Sequence, residues 1–342
     1  TVRFADATIR GAIYYWDLGG GRILRIAGDV TGLESFLPNP PARASDGSRC
    51  VACHAVSHDG TRMAAEMWDG GGPGAIYDLT IDLTGNPAPT IVAPGVVSFL
   101  TATFSPDNSR LVANAGNELF LIDGNTGARL PAGGAGLPST GSANPAWSPD
   151  GAHVAYVSST DGGWAVDYRR GNLSIIDVDS SAADTFLAPR TIFTPTPPLL
   201  VARPSWSPTS GWIAFQYGEY SRAFEDVASG PSVRRNATIR MASPDGTTIF
   251  DLAALNGGGT NSYYPTFSPF DEGGYFWLAF FSTRDYGNSI VGTEGTGRRQ
   301  LWVAAIDSTP LPGIDPSAAP YWLPQQNVAG ENMAAFWAPE AC

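Results

Sequence analysis

The stretch WSPDGAHVAYVS, Trp147 to Ser158, decides how the rest of the chain is read. An aromatic residue closes one apolar run. Ser148-Pro149-Asp150-Gly151 is turn chemistry: proline presets its backbone angle, the aspartate bonds its own backbone, and glycine takes a positive φ. Val154-Ala155-Tyr156-Val157 then resumes as a β-rich run. The whole is one hairpin. It recurs as VSHDGTRMAAE from Val56, FSPDNSRLVAN from Phe104, WSPTSGWIAFQ from Trp206 and FSPFDEGGYFWLAFFS from Phe267, and in shorter form as WAPEAC from Trp337. The serine, or the alanine that replaces it, falls at positions 57, 105, 148, 207, 268 and 338. Such spacing accommodates one four-stranded unit per repeat with loops of variable length.

Further β runs follow the hairpins, as in LFLIDGNTGARL from Leu119, LSIIDVDSS from Leu173 and TIRMASPDGTTIFDL from Thr238. They read as third and fourth strands, and the SPDG at Ser243 belongs to one of them rather than to a repeat start. The sixth start lies too near the C-terminus to finish a unit. The N-terminus offers the missing piece, because GAIYYWDLGGGRILRI from Gly11 is an outer hairpin with no inner strand before it. The expected fold is all-β: a six-bladed β-propeller, one domain over residues 1–342, its ring closed by the N-terminal hairpin joining the C-terminal blade. The 40 glycines and 28 prolines are scattered between short apolar runs, as many tight turns require. The repeated WSPDG-type signature resembles the TolB-like family of six-bladed propellers over nearly the whole chain. That resemblance implies the fold and not an activity.

Net charge is −12, and every one of the 20 basic residues is arginine. A nucleic-acid partner is not expected, since no basic face is visible for phosphates. Lysine-dependent phosphate and Schiff-base sites are excluded outright. A basic redox partner suits this acidity. No apolar run reaches the roughly 18–20 residues of a transmembrane span.

The chemistry is concentrated in Cys50-Val51-Ala52-Cys53-His54. Cys-x-x-Cys-His is the attachment pattern of haem c. Two thiols form thioethers to the porphyrin, and the following histidine ligates iron. A redox dithiol belongs beside a βαβ unit, which this chain lacks. A zinc site needs four ligands, but only Cys342 and two further histidines, His58 and His153, remain. A Cys50–Cys53 disulfide is short and strained. One covalent haem is the expected cofactor.

A second axial ligand completes the iron of an electron carrier. Aligning CHAVSHDG with NPAWSPDG sets His54 at Pro145, near the start of an innermost strand, and puts His58 in the exposed turn. Met63, Met67 and Met241 take packing positions, and His153 faces away from the core. Met333 differs: it stands two residues before Ala335, which aligns with His54. In an extended strand it therefore shares that side, and neighbouring inner strands start at one mouth of the channel. His54 and Met333 are the expected iron ligands, with the haem capping that mouth.

The chain looks like the haem-binding TolB-like proteins of high-GC bacteria such as myxobacteria, which pair a Cys-x-x-Cys-His blade start with a C-terminal Asn-His/Met…Trp segment, here Asn332-Met333 to Trp337. The resemblance implies a periplasmic, cell-surface or secreted monohaem cytochrome that transfers electrons, more an electron carrier than an enzyme. A methionine there favours a higher potential than paired histidines. Two rival readings stand beside it. One is a haem enzyme, peroxidase-like or gas-binding, with an open sixth position lined by Tyr263, Tyr264, Trp68 or Arg203. The other is a haem-bearing subunit of a self-assembling structure, in which Cys342 pairs with another chain. The loop ESFLPNPPARASDGSR before the motif could cover the porphyrin.

Overall fold

The computed structural model describes residues 10–27, 32–68, 72–130, 134–162, 164, 166–222, 236–285 and 298–340; Cys342 lies outside them. Six antiparallel sheets stand in a ring. The inner strands are Val51–Val56, Thr101–Phe104, Ser142–Trp147, Leu200–Trp206, Ser262–Glu272 and Asn332–Ala338. They head blades one to six in that order. Five blades have four strands and blade two has three among the described residues.

The C-terminal strand Asn332–Ala338 pairs with Ala12–Asp17, which pairs with Arg22–Ala27 and then Leu33–Glu34. Blade six is thus built from both ends of the chain, as expected from the unpartnered hairpin. The hairpin supplies its second and third strands, one place further in than the sequence suggested. Only one inner strand was missing, and the C-terminus provides it.

In blades one to three the repeat serine acts as a turn lock. Ser57, Ser105 and Ser148 donate to Asp59, Asp107 and Asp150 at 2.7, 2.6 and 2.5 Å. Each Oγ also accepts the backbone N–H five residues on, from Arg62, Arg110 and His153. Ser243 makes the same pair of bonds in the outer turn of blade four. The motif therefore encodes a turn, and its place in a blade is set by what surrounds it. Ser148 is fully buried. Ser148→Ala leaves the His153 N–H without its acceptor, so a loss of about 1–2 kcal/mol is expected. A urea titration should show a lower midpoint at unchanged slope.

Hydroxyls two positions before the serine stitch blades together. Thr103 Oγ1 accepts the N–H of Trp147, and Ser205 Oγ accepts that of Phe267, each at 3.0 Å. Apolar seams between blades form the core. One joins Tyr14, Ile23 and Leu37 of blade six to Val51, Met63, Met67 and Tyr77 of blade one. Another joins Tyr15, Met333 and Trp337 of blade six to Tyr263, Phe281 and Leu301 of blade five. Each blade alternates its side chains between two neighbours, so both faces are apolar. Gly60 sits at the closure with φ +75°, where a Cβ would strike the carbonyl of Pro339.

Candidate functional site at the central channel

The inner strands line a channel enclosing a cavity of about 160 Å³. Four residues before the repeat serine stand Cys53, Thr101, Asn144, Arg203, Tyr264 and Ala334, and all six border the cavity. The chain is irregular at this level. Register slips fall between Val51 and His54, Ala143 and Ala146, Ala202 and Ser205, and Tyr263 and Thr266. Asn144, Arg203, Tyr264 and Ala334 have φ of 49°, 51°, 49° and 50°. A left-handed conformation costs roughly 1–2 kcal/mol at a residue other than glycine. Four repeats of it at one level mark bulges that re-aim side chains toward the axis. Two residues further on, Ala55, Thr103, Ala146, Ser205 and Thr266 are small and leave the space open.

The haem motif begins at this level. Cys53 borders the cavity, and its thiol bonds Arg203 and Glu66. Burial pushes that thiol up to about 11. Cys50 precedes the strand, with its sulfur beside Gly21 in the turn of the blade-six hairpin. Neither cysteine forms a disulfide. His54 is 6% exposed. Its Nδ1 is 3.3 Å from the carbonyl of Ala52, its Nε2 is 3.5 Å from that of Tyr14, and its ring leans on Phe336. Burial lowers its pKa to about 4, so the imidazole is neutral, the form that ligates metals.

Met333 and His54 both border the cavity. Met333 also packs at 1% exposure with Tyr263 and Phe281, in the seam with blade five, while His54 leans on Phe336. The segment that carries Met333 is not the regular extended strand expected from the sequence: Ala334 is left-handed, and the register beside Trp16 slips with it.

Arg203 is the cation of the cavity. Its guanidinium lies 4.4 Å over the ring of Tyr264. Among the described residues no Asp or Glu lines the cavity; Glu66 stands behind the Cys53 thiol. Asn144, 4% exposed, accepts with Oδ1 from the Tyr168 hydroxyl at 2.8 Å and from the Arg203 N–H at 3.3 Å. Burial raises the Tyr168 pKa, so that hydroxyl remains a donor. The Arg203 backbone N–H fixes the amide, and the Asn144 Nδ2 is left buried without a partner. The Trp16 Nε1, from blade six, is likewise buried and unpaired, and Trp16 borders the same cavity.

Of the distal residues expected from sequence, Arg203 and Tyr264 line the channel. Tyr263 turns into the seam between blades five and six, and the Trp68 indole donates to the carbonyl of Pro41 at 2.8 Å. His58 is not exposed as expected. It holds the place that proline takes in the other blades, borders the cavity, and bonds the Trp147 carbonyl; burial lowers its pKa. His153 pairs with Asp177 at 2.7 Å and stacks on Trp206. The segment before the motif runs beside blade one instead of over the channel: Arg49 bonds Pro40 and Asn86, and Leu37 is buried in the seam. Asn144 and Trp16 went unnoticed in the sequence. The signal for Asn144 was there, in Asn-Pro, Arg-Pro and Tyr-Pro recurring at one repeat position.

No family model matches the chain, and no curated protein matches it. Among solved structures it is similar to TolB from Acinetobacter baumannii, at TM-score 0.58 and 14% identity, covering 98% of this chain and 68% of that one. It is also similar to a chain of a Nidogen/Laminin complex, at TM-score 0.54 and 10% identity, covering 97% and 100%. A third likeness is to Kuenenia stuttgartiensis Hydrazine Synthase, at TM-score 0.47 and 13% identity, covering 86% and 73%. The fold is thus the TolB-like six-bladed propeller. At such identities the likeness speaks to fold alone.

Proposed function

We propose that this protein is an extracytoplasmic c-type haem propeller whose single haem sits at the mouth of the central channel. One observation carries the reading: the Cys-x-x-Cys-His run lies on an inner strand, with Cys53 and His54 both bordering the cavity. Cys50 and Cys53 would hold the porphyrin by thioethers, and the neutral imidazole of His54 would turn from the Tyr14 carbonyl to face iron. The bond it gives up is long, at 3.5 Å. The orphaned donors of Asn144 and Trp16 support a polar occupant of this space. Haem supplies one-electron and small-ligand chemistry when bound.

The position of Met333 bears on which chemistry. Met333 borders the same cavity as His54 but is 1% exposed and packed with Tyr263 and Phe281, so it would leave that packing to reach iron. The reading with an open sixth position is favoured by Arg203, Tyr264 and Asn144, which border the cavity with polar groups. Arg203 and Asn144 would orient a small ligand by donating to it, and the Tyr264 ring holds the guanidinium in place.

The test is the absorption spectrum of protein made in a compartment where haem c is attached, with an alkaline pyridine assay. We expect one c-type haemochrome per chain, an oxidised spectrum of high-spin type, and no spectral change in Met333→Leu. A far-red methionine band that disappears in Met333→Leu restores the electron carrier. Absence of haem under those conditions overturns the proposal.

A further inference from the structure

We propose that the channel contains a binding site for a carboxylate, held between the Arg203 guanidinium and the Asn144 amide. The inference does not depend on the iron or on its ligands. It starts from a charge anomaly. The chain has 32 acidic and 20 basic residues, yet the cavity wall holds an arginine and no carboxylate. Glu66 stands behind the Cys53 thiol, which bonds both it and Arg203, but it does not border the cavity; a buried cation with no carboxylate in direct contact is costly, and arginine cannot shed its charge. The ring of Tyr264, at 4.4 Å, compensates in part.

The second observation is the Asn144 Nδ2. Its partner atom Oδ1 is occupied by the Tyr168 hydroxyl and the Arg203 backbone N–H. The amide cannot flip without setting its own hydrogens against the Arg203 backbone N–H, which only donates. The Nδ2 group is therefore fixed, buried and unsatisfied on a residue that borders the cavity. The Trp16 Nε1 is a second buried N–H without a partner, on a residue that borders the same cavity. Both groups, like the guanidinium, donate only. The missing partner is an acceptor with several lone pairs and a negative charge. A planar oxyanion matches, since a guanidinium meets a carboxylate with two parallel bonds. Asn144 and Arg203 both sit on left-handed bulges, so the backbone is strained where these donors are aimed.

A carboxylate can reach this site as a small free acid or as a propionate of a porphyrin tethered at Cys50 and Cys53. Two preparations separate these sources: haem-free protein made in a cytoplasm without attachment, and haem-loaded protein. Each is titrated with sodium acetate, with acetamide as the neutral isostere and sodium chloride at equal ionic strength as control, following the thermal midpoint. We expect acetate, and not acetamide or chloride, to raise the midpoint of haem-free protein. Arg203→Gln should weaken the apparent affinity at least tenfold. Asn144→Asp keeps the acceptor for Tyr168 but puts a carboxylate where the free amide was, and should abolish the response. A response lost on haem loading identifies the propionate as occupant, and a response kept identifies a free acid. If haem does not attach, the haem-free arm still decides the matter. No difference between acetate and its controls in haem-free protein, or an undiminished response in both variants, overturns the site.

Discussion

Trp337→Ala should lower the unfolding free energy by about 3–5 kcal/mol, the range for a large aromatic removed from a core. Trp337 is 5% exposed and packs in the seam between blades five and six. Its indole N–H donates to the Arg10 carbonyl at 2.7 Å, across 327 positions of sequence. The residue thus does two jobs at the one place where the ring depends on the chain ends meeting. The loss is greater than that of Ser148→Ala because blade six has no continuous chain to hold it. Its inner strand comes from one terminus and its other strands from the opposite one. Thermal unfolding checks this, with Trp206→Ala as comparison. Trp206 is equally buried, but its indole bonds Ala146 in a blade made of continuous chain. A Trp337 variant no less stable than the Trp206 variant would argue against closure as the weak point.

The same residues show how far the sequence could be read. The repeat starts were legible because they share a local turn device, complete at Ser105 and Ser148, where serine, proline and aspartate specify the turn without help from elsewhere. Ring closure was legible because the first hairpin had strands to pair and none beside it. The channel level was not. It depends on bulges at Asn144, Arg203, Tyr264 and Ala334, and only the proline after three of them hints at an irregularity. A bulge changes which face a side chain takes, so parity arguments fail across it. Met333 was assigned to the side of His54 by such an argument; both do border the cavity, although Met333 also packs into the seam with blade five. His58 was assigned to an exposed turn by analogy with the prolines, although those prolines line the cavity too. The analogy was sound, and what it lacked was the knowledge that this turn faces inward.

In haem-free protein, acid should destabilise the fold well before the carboxylates are protonated. The imidazole of His54 titrates near 6.5 when unfolded and, because of burial, at about 4 when folded. Below 6.5 the unfolded chain therefore binds a proton that the folded chain refuses. Stability is complete above pH 6.5 and falls progressively as the pH drops toward 4, by roughly 3 kcal/mol in all. His58, also lowered by burial, acts with the same sign. Aspartates held low by their turn hydrogen bonds, such as Asp59 at about 2, contribute stability that is lost only below the ordinary carboxylate range. The two effects occupy different windows. Urea midpoints between pH 7 and pH 4 should slope steeply for the native sequence and much less for His54→Leu, which keeps an apolar filling under Phe336 and removes the proton. Equal slopes in the two proteins would mean that His54 leaves the seam before it protonates. The imidazole would then be mobile in haem-free protein, and its turn toward the channel would cost the fold little.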